Sequence, residues 1–459
     1  MSKLITKKRA ITAGSLVMLG ITLASSIALA ASPSFATLSA IGPTGYGRPT
    51  STNGVSADAG EATPGEAEAG AATTNYSTTV WTVSGANLLI SGSTTCYPIL
   101  NAAMPGFVSA QAALGNNVVP DLKQGGSGVG RTDGGLGLND LAASSSAFKT
   151  PADGLSKAKW GTQDVNHNGL ADPTDVTSAV PMWDVTKIAR DGVVVIINDS
   201  VNAASINLTK AQITAIYGAY KPNGSSWTLK STAAGDAYNG IINWNQVGGP
   251  NKSIVPIARE VGGGTRTSFD DFIGVSEGDE VATINATGNH RFQGNPGVVA
   301  AANANDGSAN GAIAYCGLGF TTGLSHVNEM NVNGIAPTKQ NVYGLTYPFS
   351  RFLQVATLHG WTNPRTVNAQ NAQKFEQYLW TEPGQDAVAT ADFLKLWPDV
   401  DVNKDGNVDI TDVAGVGMSW MQTNPTGHWI RADVNGDGSV DITDVAAIGM
   451  WWMFGYALP

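Results

Sequence analysis

Charge is scarce in this chain and cysteine scarcer. Of 459 residues only 14% are charged, and 26 basic against 36 acidic side chains leave a formal charge of −10. That balance excludes the basic footprint of a nucleic-acid binder. Two cysteines, Cys96 and Cys316, are too few for a disulfide scaffold and lack zinc-type spacing, which leaves one bridge or two thiols. Five histidines and no H-E-x-x-H give metal hydrolase chemistry little footing. The phosphate-cradling G-x-x-x-x-G-K-[ST] is also missing, against nucleotide hydrolysis.

What is present begins with an export pattern. Lys3, Lys7, Lys8 and Arg9 precede an apolar run from Ala10 to Ala30, and Ala28-Leu29-Ala30 or Ser34-Phe35-Ala36 would suit a signal peptidase. Residues 1–36 are therefore expected to be a signal, cleaved or kept as an anchor, and the mature protein to be secreted or at the cell surface. No later segment is apolar for long enough to span a bilayer. Residues 37–79, rich in Gly, Ala, Thr, Ser and Glu, cannot offset the entropy of ordering and read as a flexible linker.

Beyond it, Leu88–Ile90, Val193–Ile197 and Ile254–Ile257 read as buried strands. A helix with Thr209 as its N-cap and another from Val367 to Trp380 carry apolar faces. Strands alternating with helices imply an α/β domain. Three turns concentrate glycine and small hydroxyl residues: Ser91–Thr95, Gly125–Gly130, and Gly262–Thr267 preceded by Arg259. Glycine admits close approach, hydroxyls donate, and helix N-termini offer unpaired N–H groups, so three such turns meeting would make an oxyanion site.

Gly92-Ser93-Thr94-Thr95, the Gly126–Gly130 turn through Gly137, Asp140 and Ser144-Ser145, the run Arg259–Thr265, and Gly311–Tyr315 together resemble the periplasmic-type phosphate-binding proteins of ABC transporters. The resemblance covers residues 80–394 and implies a PstS-like, two-lobed type II periplasmic-binding-protein fold that closes on phosphate or a similar oxyanion. It also implies an ABC permease as a partner and no catalysis. Carried over by position, Ser93, Thr94, Thr95, Ser127, Ser145 and Thr265 would donate hydroxyls, Gly263 and Gly264 backbone N–H groups, and Arg259 a bidentate charge. The other reading of Arg259 is a surface ion pair with Glu260 or a nearby Asp. Gly263 stands where the family usually has Ser, and Ser145 where many members place the Asp that recognises the proton of hydrogen phosphate. Arg131 or Arg266 is expected to replace an arginine that relatives carry beside Ser145.

The C-terminus repeats a pattern at an offset of 32 residues. Asp401, Asn403, Asp405, Asn407, Asp409 and Asp412 recur as Asp433, Asn435, Asp437, Ser439, Asp441 and Asp444, with Gly406 and Gly438 at the sharp turn. This is the oxygen-ligand order of an EF-hand calcium loop, although each copy is followed by one helix, Val413–Trp420 or Val445–Met453, and preceded by none. A duplicated loop-plus-helix over residues 398–459 resembles a dockerin module, which implies calcium and a cohesin partner. Positions 10 and 11 are Ile410-Thr411 and Ile442-Thr443 where many dockerins carry Ser-Thr. A third match, Asp164, Asn166, Asn168, Leu170, Asp172 and Asp175, reads as an insertion at 164–175 holding a structural ion or as a plain polar loop. The carboxylates outside these loops form no paired pattern of a glycan hydrolase. Two functions stay open: an exported oxyanion-binding protein tethered by a dockerin, or an extracellular assembly component whose PstS-like lobes are structural or adhesive.

Overall fold

The computed structural model describes residues 79–135, 138–148, 183–202, 206–260, 263–358, 366–423 and 431–459, all within the compact unit Leu38–Pro459. The export signal, nearly all of the linker, Gly137 and the loop 164–175 lie outside the described residues. Among those described, no helix is long and apolar enough to cross a membrane.

The strands in chain order are β1 (Leu88–Gly92), β2 (Pro120–Gln124), β3 (Leu141–Ser144), β4 (Trp183–Asn198), β5 (Tyr220–Asn223), β6 (Ser226–Leu229), β7 (Val255–Pro256), β8 (Ala258–Arg259), β9 (Arg291–Phe292), β10 (Ala312–Gly317), β11 (Val327–Glu329) and β12 (Ser350–Leu358). The main sheet runs β2-β1-β3-β12-β4-β10-β7, with β11 also on β4. β1 is buried on both faces and pairs in parallel with β2 and β3, which suits its unbroken apolar run.

β4 joins two halves. Its residues 183–192 pair antiparallel with β12, and Val193–Ile197 pair with β10. The first lobe packs Leu88, Ile90, Phe107, Leu353, Phe375 and Val388 into one core. In the second, Val193, Val195, Tyr217, Phe269 and Tyr315 fill one side of the sheet, and Val194, Ile196, Ala314 and Cys316 fill the other. The chain thus crosses between lobes along β4 and where Phe349 leads into β12. Cys96 and Cys316 are both free and buried, in the cores of different lobes, which leaves two thiols rather than a bridge.

The run Ile254–Ile257 is not one strand: β7 holds only Val255 and Pro256, because proline has no N–H for the ladder. Thr209 caps the helix Lys210–Tyr217 through a reciprocal box with Gln212, and the later helix spans Thr366–Leu379. The C-terminal helices begin earlier than the sequence pattern predicts, at Ile410–Met418 and Ile442–Gly449, because Asp409 and Asp441 serve as their N-caps. Val400, Val408, Val416, Val440 and Ile448 give this module its own small core.

Candidate functional site

Three helix starts meet where the lobes face each other: Tyr97–Ala113 and Ser127–Gly135 from the first lobe, Gly264–Ile273 from the second. Each brings unpaired N–H groups and the positive end of its dipole. Gly92 allows the first turn its shape, since its φ of +136° and a Cβ only 2.2 Å from Ala143 O exclude other residues. Gly264 allows the lobes to meet, because a Cβ there would lie 2.0 Å from Ser127 Oγ and 2.2 Å from Ser145 Oγ.

All the residues assigned to the oxyanion by position come together. Ser93 Oγ donates to Ser145 Oγ at 3.0 Å, and Ser127 Oγ lies 3.4 Å from the same hydroxyl. Across the lobes, Thr95 Oγ1 is 3.0 Å from Thr265 Oγ1. Arg259 reaches Thr94 Oγ1 through Nη2 at 2.8 Å and Thr265 Oγ1 and Thr95 Oγ1 through Nη1 at 3.1 and 3.4 Å. Thr94 is half-buried, while Ser93, Thr95, Ser127, Ser145, Arg259 and Thr265 are buried, as are Gly263 and Gly264.

Arg259 does pair with Glu260, through Nε at 3.1 Å and also through Nη2, but the pair is buried rather than at the surface. Glu260 also accepts from Gly294 N at 2.9 Å, and Arg259 O accepts from Arg291 at 3.0 Å. Backing of this kind holds a guanidinium in one orientation, and removing one partner of a buried pair costs about 3 to 5 kcal/mol.

The expected substitutes for the missing arginine are tied to partners outside the six hydroxyls. Arg131 donates to Ser144 and Ser146 at 2.8 and 2.7 Å, and Arg266 to Glu280 at 2.7 Å. The second guanidinium is Arg351, which sequence reasoning missed. It donates to Ser145 O and to Thr265 Oγ1, both at 3.1 Å, thereby touching both lobes. Asp191, its register partner across the crossover strands, accepts from it at 2.9 and 2.6 Å. Asn295 Nδ2 lies 3.4 Å from Thr95 Oγ1. The only hint in the sequence was a lone arginine in the apolar run of β12.

Two buried acids frame the first lobe's turns. Asp140 accepts Leu89 N at 2.8 Å. Asp133 accepts Ser91 Oγ at 2.6 Å and Thr79 Oγ1 at 2.5 Å, and burial pushes its carboxyl up to about 6 against those hydrogen bonds. Burial likewise pushes the Cys96 thiol up to about 11 and raises Cys316.

The C-terminal loops are two nearly identical copies. Asp401 accepts Asp405 N and Gly406 N at 3.2 and 3.0 Å, and Asp433 accepts Asp437 N and Gly438 N at 3.1 and 2.9 Å. Asn403 and Asn435 accept Asp405 N and Asp437 N. Asp405 and Asp437 accept the N–H of Asn407 and Ser439. Asp409 and Asp441 accept Thr411 N and Thr443 N. Asp412 and Asp444 reach back to Asn403 N and Asn435 N. Gly406 and Gly438 take φ of +90° and +89°. Among the described residues no three His, Cys, Asp or Glu side chains converge as metal ligands. The fit to a hard divalent cation rests on the oxygen order and on the burial of Asp401, Asp412, Asp433 and Asp444, four carboxylates that water does not solvate.

Residues 63–382 match the model of the PBP superfamily domain, and residues 399–449 that of the dockerin type I domain. Similar solved structures include a substrate-binding protein from Clostridium perfringens with bound phosphate, at 22% identity over 67% of this chain and 98% of that one, TM-score 0.48. Another is an ABC-type phosphate transport receptor from Vibrio cholerae, at 19% identity over 67% and 99%, TM-score 0.46. PstS from Borrelia burgdorferi is similar at 22% identity over 67% and 98%, TM-score 0.41. With 63–382 covering most of its length, this chain belongs to the PBP superfamily, as a two-lobed type II α/β protein that carries a dockerin type I domain at its C-terminus.

Proposed function

We propose that this is an exported solute-binding protein that takes phosphate or a similar tetrahedral oxyanion between its lobes. The observation that carries this reading is the meeting of six hydroxyls, three helix starts and the buried Arg259 at one point. The six hydroxyls can share the anion's four oxygens, Arg259 can bind two at once, and the N–H groups at Gly263 and Gly264 add dipole stabilisation. Binding and closure are the whole task, and delivery to an ABC permease would follow from them.

Glu260 and Asp191, the carboxylates that pair with Arg259 and Arg351, are each held by an arginine. Among the described residues these two carboxylates are engaged rather than free to recognise a proton on the anion, and sulfate should compete with phosphate. The dockerin's side-chain oxygens at Asp401, Asn403, Asp405, Asp409 and Asp412, with the Asn407 carbonyl, would hold calcium, as would Asp433, Asn435, Asp437, Asp441 and Asp444 with the Ser439 carbonyl. So loaded, the module tethers the protein to a cohesin domain outside the cytoplasm, at the end of the export route that residues 1–36 encode.

The test is isothermal titration calorimetry of the full chain with phosphate, with sulfate as competitor. Arg259→Ala should reduce oxyanion affinity by 100-fold or more, beyond the roughly 10-fold expected from losing one charge-assisted hydrogen bond of about 1.5 kcal/mol. Absence of binding by either anion to the unmodified chain would overturn the reading.

A further inference from the structure

The dockerin does not hang free of the binding domain. On the second lobe, Tyr343 meets Trp451 and Tyr456 edge-on, each with ring centres 5.8 Å apart, and Trp451, Phe454 and Tyr456 lie against that lobe's core. On the first lobe, Glu382 accepts Lys404 Nζ at 2.5 Å and Arg431 Nη1 at 3.3 Å. Glu382 opens the helix Glu382–Thr390, whose Ala387 and Val388 belong to the first core. One module therefore grips both lobes.

Between these grips lies Arg190, fully buried on β4 next to the point where that strand passes between lobes. Its Nε donates to Leu396 O at 2.9 Å, its Nη1 to Tyr343 O at 3.1 Å and its Nη2 to Ala457 O. Those carbonyls belong to the connection between the domains, the second lobe and the C-terminal tail. The rings of Phe352, Tyr456 and Tyr343 face the guanidinium at 4.7, 5.1 and 5.4 Å. A buried guanidinium is costly to leave unsatisfied, and here Nη2 keeps its carbonyl, Ala457 O, only while the tail is seated.

Both ends of this contact lead to a binding site. Toward the oxyanion, the next residue is Asp191, whose partner Arg351 touches Ser145 and Thr265. Toward the dockerin, Tyr456 Oη donates at 2.5 Å to Asp401 Oδ2, the first position of the first loop. The Asp401 carbonyl in turn accepts from Arg431.

We propose that the dockerin has a second function inside its own chain, as a calcium-dependent brace across the two lobes, seated on Arg190 and keyed by Tyr456 to the first calcium loop. Opening the lobes bends the crossover strands, and a brace gripping both sides opposes that motion. Filling the first loop fixes Asp401, hence Tyr456, hence the tail that satisfies Arg190. Calcium then favours the closed arrangement, and linkage requires the oxyanion to tighten calcium by the same factor. The affinity part of this proposal rests on the oxyanion reading, whereas the brace itself does not.

Hydrogen–deuterium exchange on the full chain, with calcium or with EGTA, tests the brace without any oxyanion. Calcium should slow exchange at residues 187–195 and 340–353 by fivefold or more, and Tyr456→Phe, which keeps the ring over Arg190 but loses the hydroxyl to Asp401, should remove most of that protection. Arg190→Lys, retaining charge without the fork, should do the same. Calorimetry on the same samples should show phosphate affinity at least fivefold weaker in EGTA, within the usual range of coupling between sites. If calcium protects the dockerin segments alone and leaves 187–195 and 340–353 unchanged, the brace is overturned. If it protects them while no oxyanion binds, the brace stands and the ligand reading fails.

Discussion

The proposed oxyanion site gathers its groups from positions as distant as Ser93 and Arg351, in two lobes, and nearly all of them are donors. Each dockerin loop gathers acceptors from twelve consecutive residues and is shaped by its own backbone N–H groups. A site assembled by tertiary structure is only as good as the approach of its parts, so a distance of a few ångströms between lobes decides it. A site written into one loop takes its shape from that loop, and its copy 32 residues later repeats it almost bond for bond, while Tyr456 ties the first copy to the fold around it. The first is therefore suited to a ligand that must come and go, and the second to an ion that stays.

That contrast can be broken most severely at Gly264. A methyl group there cannot coexist with Ser127 and Ser145 in the closed arrangement, so Gly264→Ala should weaken oxyanion binding about 100-fold, equivalent to about 2.7 kcal/mol. Thermal stability should change far less. Calorimetry with phosphate and a melting curve on the same sample check both, and retained affinity would show that the lobes need not approach so closely. The local make-up of the second loop predicts a smaller effect from Asp444→Ala. The second loop should lose its ion, lowering the calcium stoichiometry by one, while phosphate affinity stays within about twofold because Tyr456 is keyed to the first loop. Equilibrium dialysis with calcium and a phosphate titration decide the matter.

The mildest effect concerns the first lobe's core. Glu376 is 1% exposed, and burial pushes its carboxyl from 4.5 up to about 8, Asp184 adding to the rise and Thr186 opposing it. The folded protein therefore holds this proton over a pH range in which the unfolded chain releases it. The stability this contributes is full below about 4.5 and is lost as pH rises toward 8. Glu376→Gln should flatten the decline of melting temperature across that window by a few degrees and leave both binding sites unaffected.

How much of this was legible in the sequence follows the same division. The dockerin loops could be read residue by residue, because ligand order is a property of consecutive positions. Their helices could not be placed as well: Asp409 and Asp441 serve both as loop residues and as N-caps, so the helices begin inside the stretch that the ligand pattern assigns to the loop alone. On the oxyanion side the turns were legible through family resemblance, since glycine and hydroxyl clusters are local. Arg351 and Asp191 were not, because each is a single charged residue in a strand and acquires meaning only from the register between β4 and β12. The length of β4 was also hidden, for only its Val193–Ile197 half is uniformly apolar, while Trp183–Gly192 carries the charges that line the crossing.

The separation of Cys96 and Cys316 has a practical consequence. Each lies in the core of a different lobe, with its thiol held protonated by burial, and a thiol reacts only as the thiolate. Neither can be modified until its own lobe opens. The chain thus carries an internal pair of clocks: the rate at which each cysteine takes up a thiol reagent under native conditions times the unfolding of one lobe separately from the other.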